Sequence, residues 1–91
     1  MSVGGTARLD KWLWHARFIR NRQLADALVA ARRVRLNEHI VGKTHQLVRP
    51  GDVITLTEPA RVRVVRVRAL AERRGPAVEA TSLYEVIAKL D

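Results

Sequence analysis

Cysteine is absent from the 91-residue sequence, which excludes a disulfide framework, thiolate metal sites and a cysteine nucleophile. Long apolar runs are absent too. Nothing approaches the roughly 20 consecutive apolar residues that cross a bilayer, and the opening MSVGGTAR lacks the apolar centre of a signal peptide, so a cytoplasmic protein without a membrane partner is expected. Neither standard glycine-rich phosphate loop occurs. Ser2 and Ser82 have no histidine close in sequence, and the acids are scattered singly, which leaves no nucleophile with its base and no evident carboxylate pair. An enzyme is therefore not expected. His15, His39 and His45 lack the i, i+4 spacing of a helical zinc pair and have no thiolate partners. They read as surface or turn histidines, and neither a metal nor a cofactor is expected.

Acidic residues are scarce as well: nine against seventeen Lys and Arg, for a net charge of +8. Such an excess points to a polyanionic partner. Its distribution is sharper than its total. Residues 1–50 hold ten Lys or Arg and three acids, a balance of +7, whereas residues 51–91 hold seven and six, a balance of +1. Fourteen of the cations are arginine, whose planar fork matches phosphate and stacks on rings better than the point charge of lysine. Arginines and aromatics also alternate through RLDKWLWHARFIRNR (8–22). That mixture suits a nucleic-acid surface, a core with a solvated rim, or a membrane-surface helix.

Hydrophobic spacing organises the chain. Residues 1–7 are small and form a flexible lead, and 8–91 make a single domain. From Arg8 to about Ile19, steps of 100° bring Leu9, Trp12, Leu13, Ala16 and Ile19 onto one helix face. Arg8, Lys11 and His15 flank that face, and Asp10, Trp14, Arg17 and Phe18 lie largely opposite. This apolar face needs burial within the domain, which argues against a membrane-surface helix. Trp14 and Phe18 then form a second patch, suited to packing against Tyr84 or to an RNA or protein contact. Asn21 is a good N-cap for a second helix ending near Ala31 or Arg33, with Leu24, Ala27, Leu28 and Ala31 as its apolar face. Arg20 and Arg22 beside that positive dipole end make the junction a natural phosphate site.

Past Arg33 the period becomes two. Val34 and Leu36 alternate with Arg35, Asn37 to His39 turn the chain, and Ile40 and Val41 start a return strand. Arg49-Pro50-Gly51-Asp52 places Pro and Gly as a type II turn prefers, feeding a strand over 53–57. In RVRVVRVRAL (61–70) the alternation slips at Val64-Val65, which a bulge there explains; Arg61, Arg63, Arg66 and Arg68 would then share a solvent face. Pro76 suits the first turn of a short helix through about Leu83, and Tyr84 to Leu90 packs back as helix end or strand. The expected order is α-α-β-β-β-β-α, a small α+β domain.

Residues 8–37, RLDKWLWHARFIRNRQLADALVAARRVRLN, resemble the RNA-binding domain first defined in ribosomal protein S-four, also called the alpha-L motif. The family pattern is met by Arg8, Leu9, Asp10, Leu13, Arg17, Asn21-Arg22, Ala25, Leu28 and Val34-Arg35-Leu36-Asn37. RPGDVI (49–54) matches the family's closing strand, so the core motif covers 8–57. DKWLWHARF (10–18) and RRGPAVEATSLYE (73–85) extend the resemblance to the family of small heat-shock, ribosome-associated proteins of fifteen kilodaltons. It differs from the pattern where glycine is common: Arg32 follows the second helix, and Asn37-Glu38 replaces Asn-Gly. Glycine serves positive φ at such places, so either these turns differ or Arg32 and Glu38 accept mild strain.

The resemblance implies two helices packed on a small, mostly antiparallel sheet, with a short C-terminal helix. It implies structured RNA as the partner, in particular ribosomal RNA of the large subunit. Recycling of stalled subunits that carry nascent chain on transfer RNA follows from the second likeness, although the sequence ends at Asp91 without that family's usual basic C-terminal segment. The expected contacts are Arg8, Lys11, Arg17, Arg20, Arg22, Arg32, Arg33, Arg35 and Lys43 to phosphates, and Gln23 and Asn37 to sugar or base edges, in a monomer. Sequence-specific reading should be minor, since structured RNA is recognised largely by shape, 2′-hydroxyls and phosphate. Two alternatives stand beside this: a basic protein-interaction or regulatory module anchored by Trp14 and Phe18, and a DNA-binding domain whose short helix-turn-helix enters a major groove.

Overall fold

The computed structural model describes residues 5–90. Short strand β1 (Ala7–Arg8) leads into helix α1 (Leu9–His15), followed by helix α2 (Gln23–Ala30) and strands β2 (Val34–Leu36), β3 (His39–Ile40), β4 (Leu47–Val48), β5 (Val53–Glu58) and β6 (Arg61–Val67). Helix α3 (Ala77–Ala80) runs through a 3-10 turn at Thr81–Leu83 into β7 (Tyr84–Leu90). The C-terminal segment thus ends as a strand. The flexible lead expected over residues 1–7 lies outside the described residues in its first four positions, while Ala7 pairs with Val48.

Five strands form one antiparallel sheet in the order β3-β2-β5-β6-β7, and β1 pairs with β4 apart from it. The helices cover one face. Leu9, Trp12, Leu13, Ala16 and Ile19 from the α1 region join Ala25 and Val29 of α2 over Val34, Ile54, Leu56, Val65 and Val67. Aromatic scarcity makes Trp12 the largest fully buried side chain. Its indole N–H donates to the carbonyl of Ala69 at 3.0 Å, which satisfies the polar edge of the ring and ties α1 to the far end of the chain.

Helix ends follow from local chemistry. The Asn21 carboxamide oxygen accepts the Leu24 amide at 3.1 Å, as an N-cap does, a bond worth about 1 kcal/mol. Both helices stop in the same hydrogen-bond pattern. Arg17 and Phe18 amides return to the carbonyls of Trp14 and Leu13, and Arg32 and Arg33 amides return to those of Val29 and Leu28. This is the Schellman closure, whose left-handed residue is usually glycine. Here the two left-handed positions are Arg17 at φ 65° and Arg32 at φ 59°. Asn37 at φ 50° and Glu38 at φ 75° take the other tight turn, so the strain expected at Arg32 and Glu38 is present, and Arg17 adds to it.

The strand reading needs one correction. Strand β6 pairs with β5 without interruption, from Val53 opposite Arg66 to Glu58 opposite Arg61. The irregularity lies between β6 and β7, where Val64 faces Ala88 and Val65 faces Val86, leaving Ile87 as the extra residue of β7. Parity along β6 is therefore kept, and its arginines do not share a face. Arg61 and Arg63 lie on the side of buried Val65 and Val67, whereas Arg66 lies on the opposite side with Val62 and Val64. Arg63 is tolerated there because its guanidinium lies over the Phe18 ring and donates to Glu58 at 2.9 Å.

Candidate nucleic-acid interface

The site is built around a carboxylate. Asp10, the second residue of α1, is only 5% exposed, contrary to its place on the outward side of a helical wheel. Arg8, at the end of β1, donates from Nε to Oδ1 at 3.1 Å and from Nη2 to Oδ2 at 2.9 Å. Arg22, just before α2, donates from Nη2 to Oδ2 at 3.1 Å. The Lys11 amide closes the set on Oδ1 at 2.8 Å. Burial by itself would raise the carboxyl pKa, but the bonds from Arg8, Arg22 and the Lys11 amide, with the charge of Arg22, outweigh it and hold Asp10 below the ordinary carboxylate value. The acid stays ionised, and two guanidiniums are braced around it with 49% and 43% of their side chains still exposed.

Beside this pair the surface is hollowed. Thr6, Ala7, Arg8, Lys11, Leu47, Leu70, Ala71 and Glu72 line an open depression of about 640 Å³. A second, of about 520 Å³, shares Arg8 and Leu47 and adds Lys43, His45 and Gln46. The 43–46 loop is held against α1 by the Leu9 and Asp10 amides, which donate to the carbonyls of Gln46 and Thr44 at 2.8 and 3.2 Å. Arg8, Lys11 and Lys43 thereby line one trough whose middle is the half-exposed aliphatic side chain of Leu47. Cationic walls with an apolar floor suit a nucleic-acid strand, phosphates to the walls and sugar or base edges to the floor.

The other expected contacts divide. Arg20 and Gln23 are exposed at the connection and the first turn of α2. Arg17 is exposed but donates from Nε to the Gly75 carbonyl at 2.9 Å. Arg32 and Arg33 follow α2, the first exposed and the second half-buried. Arg35 stands on the sheet face away from the helices, since its neighbour Val34 is fully buried beneath them. The Asn37 amide is committed internally, its nitrogen donating to Asp52 at 3.0 Å and its oxygen accepting the Val53 amide at 2.8 Å. Asn37 staples the β2 turn to the Arg49–Asp52 turn. Sequence reasoning missed the role of Asp10, and the signal that could have found it is an acid set between arginines at the start of an apolar helix.

His15 also departs from expectation. It is buried at 3% exposure, not a surface histidine. Burial foremost, then the charge of Lys11, with a smaller push from Arg22, depress its pKa below the ordinary 6.5 against an opposing backbone hydrogen bond with Ala71. The two half-buried aromatics are occupied. Phe18 packs on Tyr84 at 4.6 Å between ring centres and on Trp12 at 5.9 Å, with the Arg63 guanidinium 5.0 Å above it. Arg74 lies 5.5 Å over Trp14 and donates from Nε to that residue's carbonyl at 3.0 Å. No cluster of three potential metal ligands occurs among the described residues, and no helix among them is long and apolar enough to cross a membrane.

Residues 7–54 match the model of the S4 domain. The chain belongs to the S4 domain family. It is 40% identical over 82 residues to heat shock protein 15 of Escherichia coli K12 and 35% identical over 78 residues to the homolog of Haemophilus influenzae, covering 90% and 86% of this chain. The chain spans 61% and 59% of the lengths of those two relatives. A trimeric structure of Vibrio cholerae heat shock protein 15 superimposes with a TM-score of 0.84 at 34% identity, covering 92% of this chain and 84% of that one. The α+β architecture and the likeness to the heat-shock family are thus both present, and both support RNA binding in general. The matched segment ends within β5, so β6, α3 and β7 lie beyond the S4 match and supply the strands and the Trp12 partner that complete the core.

Proposed function

We propose that this S4 domain docks on structured ribosomal RNA of the large subunit and acts on stalled subunits that carry nascent chain on transfer RNA. The observation that carries the reading is the set of cations without carboxylate partners within residues 8–43, the segment that also holds the braced Arg8 and Arg22 pair. Among the described residues, Lys11, Arg20, Arg32, Arg33 and Lys43 have no acid within salt-bridge distance. Contact through these groups is phosphate-directed, so it recognises folded RNA by shape and backbone more than by sequence. Likeness over most of the chain to heat shock protein 15 supports the ribosomal setting.

Co-sedimentation with purified large subunits, small subunits and buffer alone, at near-physiological salt and with excess duplex DNA, tests the reading. Binding confined to the large subunit and indifferent to the DNA is the expected result. Displacement by duplex DNA would favour the major-groove alternative. Absence from both subunits would remove the ribosome as the partner. A protein-interaction module anchored by Trp14 and Phe18 gains little support, because both rings are already covered by arginines of this chain.

A further inference from the structure

We propose that Asp10 is a positioning residue for RNA: it fixes the separation and aim of the Arg8 and Arg22 guanidiniums so that both address one phosphate backbone. This rests on the RNA-binding reading above and assigns the acid a part in it. A buried carboxylate is otherwise a poor choice at this place. It adds negative charge to the surface that must attract a polyanion, and an ionised acid is costly to bury unless it is fully partnered.

The geometry answers both objections. A carboxylate offers about four lone-pair sites, and Asp10 fills two on each oxygen: Arg8 Nε and the Lys11 amide on Oδ1, Arg8 Nη2 and Arg22 Nη2 on Oδ2. The amide bond fixes the carboxylate to the backbone of α1, so the arginines are referenced to the helix and not to a floating side chain. Arg8 and Arg22 lie fourteen residues apart, one at the end of β1 and the other just before α2, and Asp10 is the shared partner that joins them. Both keep exposed N–H groups beyond those spent on the acid. Two long side chains are thus ordered before RNA arrives, and the conformational cost of ordering them is not met at binding. The triad retains one net positive charge, while Lys11 and Lys43 stand free beside it along the trough.

Simple electrostatics and positioning predict opposite signs, which makes the experiment decisive. Asp10→Asn raises the net charge by one and keeps an acceptor for the Lys11 amide. If charge alone mattered, affinity for deproteinised ribosomal RNA would rise. The expected result is a loss of about tenfold, the worth of one charge-assisted hydrogen bond, with a shallower salt dependence of binding. A double-substitution cycle separates positioning from general damage. In a protein already carrying Arg8→Gln and Arg22→Gln, adding Asp10→Asn should change affinity by less than about twofold, because the groups it acts through are gone.

Equal or tighter binding by Asp10→Asn, or a full loss repeated in the Gln background, would overturn the assignment. Should thermal melting show the Asn protein unfolded, Asp10→Glu carries the test. It keeps the charge but displaces the carboxylate by one methylene, so a several-fold weaker complex is expected, and undiminished affinity sinks the proposal. Failure of the unsubstituted protein to bind the RNA would overturn the RNA reading itself, a result distinct from either.

Discussion

Eight arginines belong to the first fifty residues and six to the rest, yet the two regions use them differently. In the sheet region four of the six arginines lie against acids: Arg61 and Arg63 share Glu58, Arg66 meets Glu85 at 3.0 Å, and Arg73 meets Glu79 at 3.3 Å. In the helical region a single buried acid holds two arginines, and the remaining cations are left without acids. Cations in the sheet region keep charged strands soluble and add little stability, as exposed pairs generally do. Those of the helical region repel one another, as suits the proposed polyanionic partner. Net charge alone would not have separated the two, but the local balance of +7 against +1 does.

Salt probes that contrast most strongly. If about six phosphates are neutralised, raising salt from about 50 to about 200 mM should weaken RNA binding by roughly a thousandfold in a filter-binding titration. A flat response would mean that the free cations are not the interface. Next in size is Lys11→Glu with Lys43→Glu, which reverses two walls of the trough. A loss of more than about thirtyfold, with an unchanged far-UV spectrum and melting temperature, is expected. The matching change in the sheet region, Arg66→Gln with Glu85→Gln, should leave affinity within about twofold, since it removes a surface pair of no net charge. Comparable losses from both double variants would erase the distinction between the regions.

Arg32→Gly sharpens it differently. Glycine at φ 59° should relieve about 1 kcal/mol of backbone strain and raise the melting temperature, while affinity for RNA falls a few-fold through the lost cation. A variant that gained stability and kept full affinity would place Arg32 outside the interface. The smallest effect concerns pH. His15 takes a proton in the unfolded chain near 6.5 but only at lower pH when folded, so its contribution is present above 6.5 and lost as pH falls through the folded value. Asp10, also depressed, adds a further loss below 3.8. Melting temperature should therefore decline from about pH 7 to about pH 5, and His15→Gln should flatten that part of the curve.

Much of this was readable from spacing. The core face of α1, the Pro50-Gly51 turn and β5 follow directly from spacing, whereas in α2 the buried residues are Ala25 and Val29, and Ala27 and Ala31, expected on the apolar face, are exposed. Asp10 escaped because a helical wheel sends charges outward, whereas its burial is made possible by Arg22, a partner a whole loop away. The parity of β6 was misjudged for a related reason. Valines on both faces and arginines on both faces look like a slip when a strand is read alone, but pairing with β5 fixes the register and moves the extra residue into β7. The proposed RNA face rests on a charge imbalance written in the sequence, although the engagement of Asn37 with Asp52 and the placement of Arg35 across the sheet depend on pairings that local sequence does not encode.

The bond from the Trp12 indole to Ala69 spans 57 positions, and Val65 and Val67 close the core beneath the same ring. Contacts of such separation carry a large loop-closure cost and form late. Translation delivers α1 and α2 first, and Val65, Val67 and Ala69 only some 35 to 40 residues after α2 has ended. During its own synthesis the chain therefore presents the cations of its first half before the strand that closes the core beneath its helices has been made.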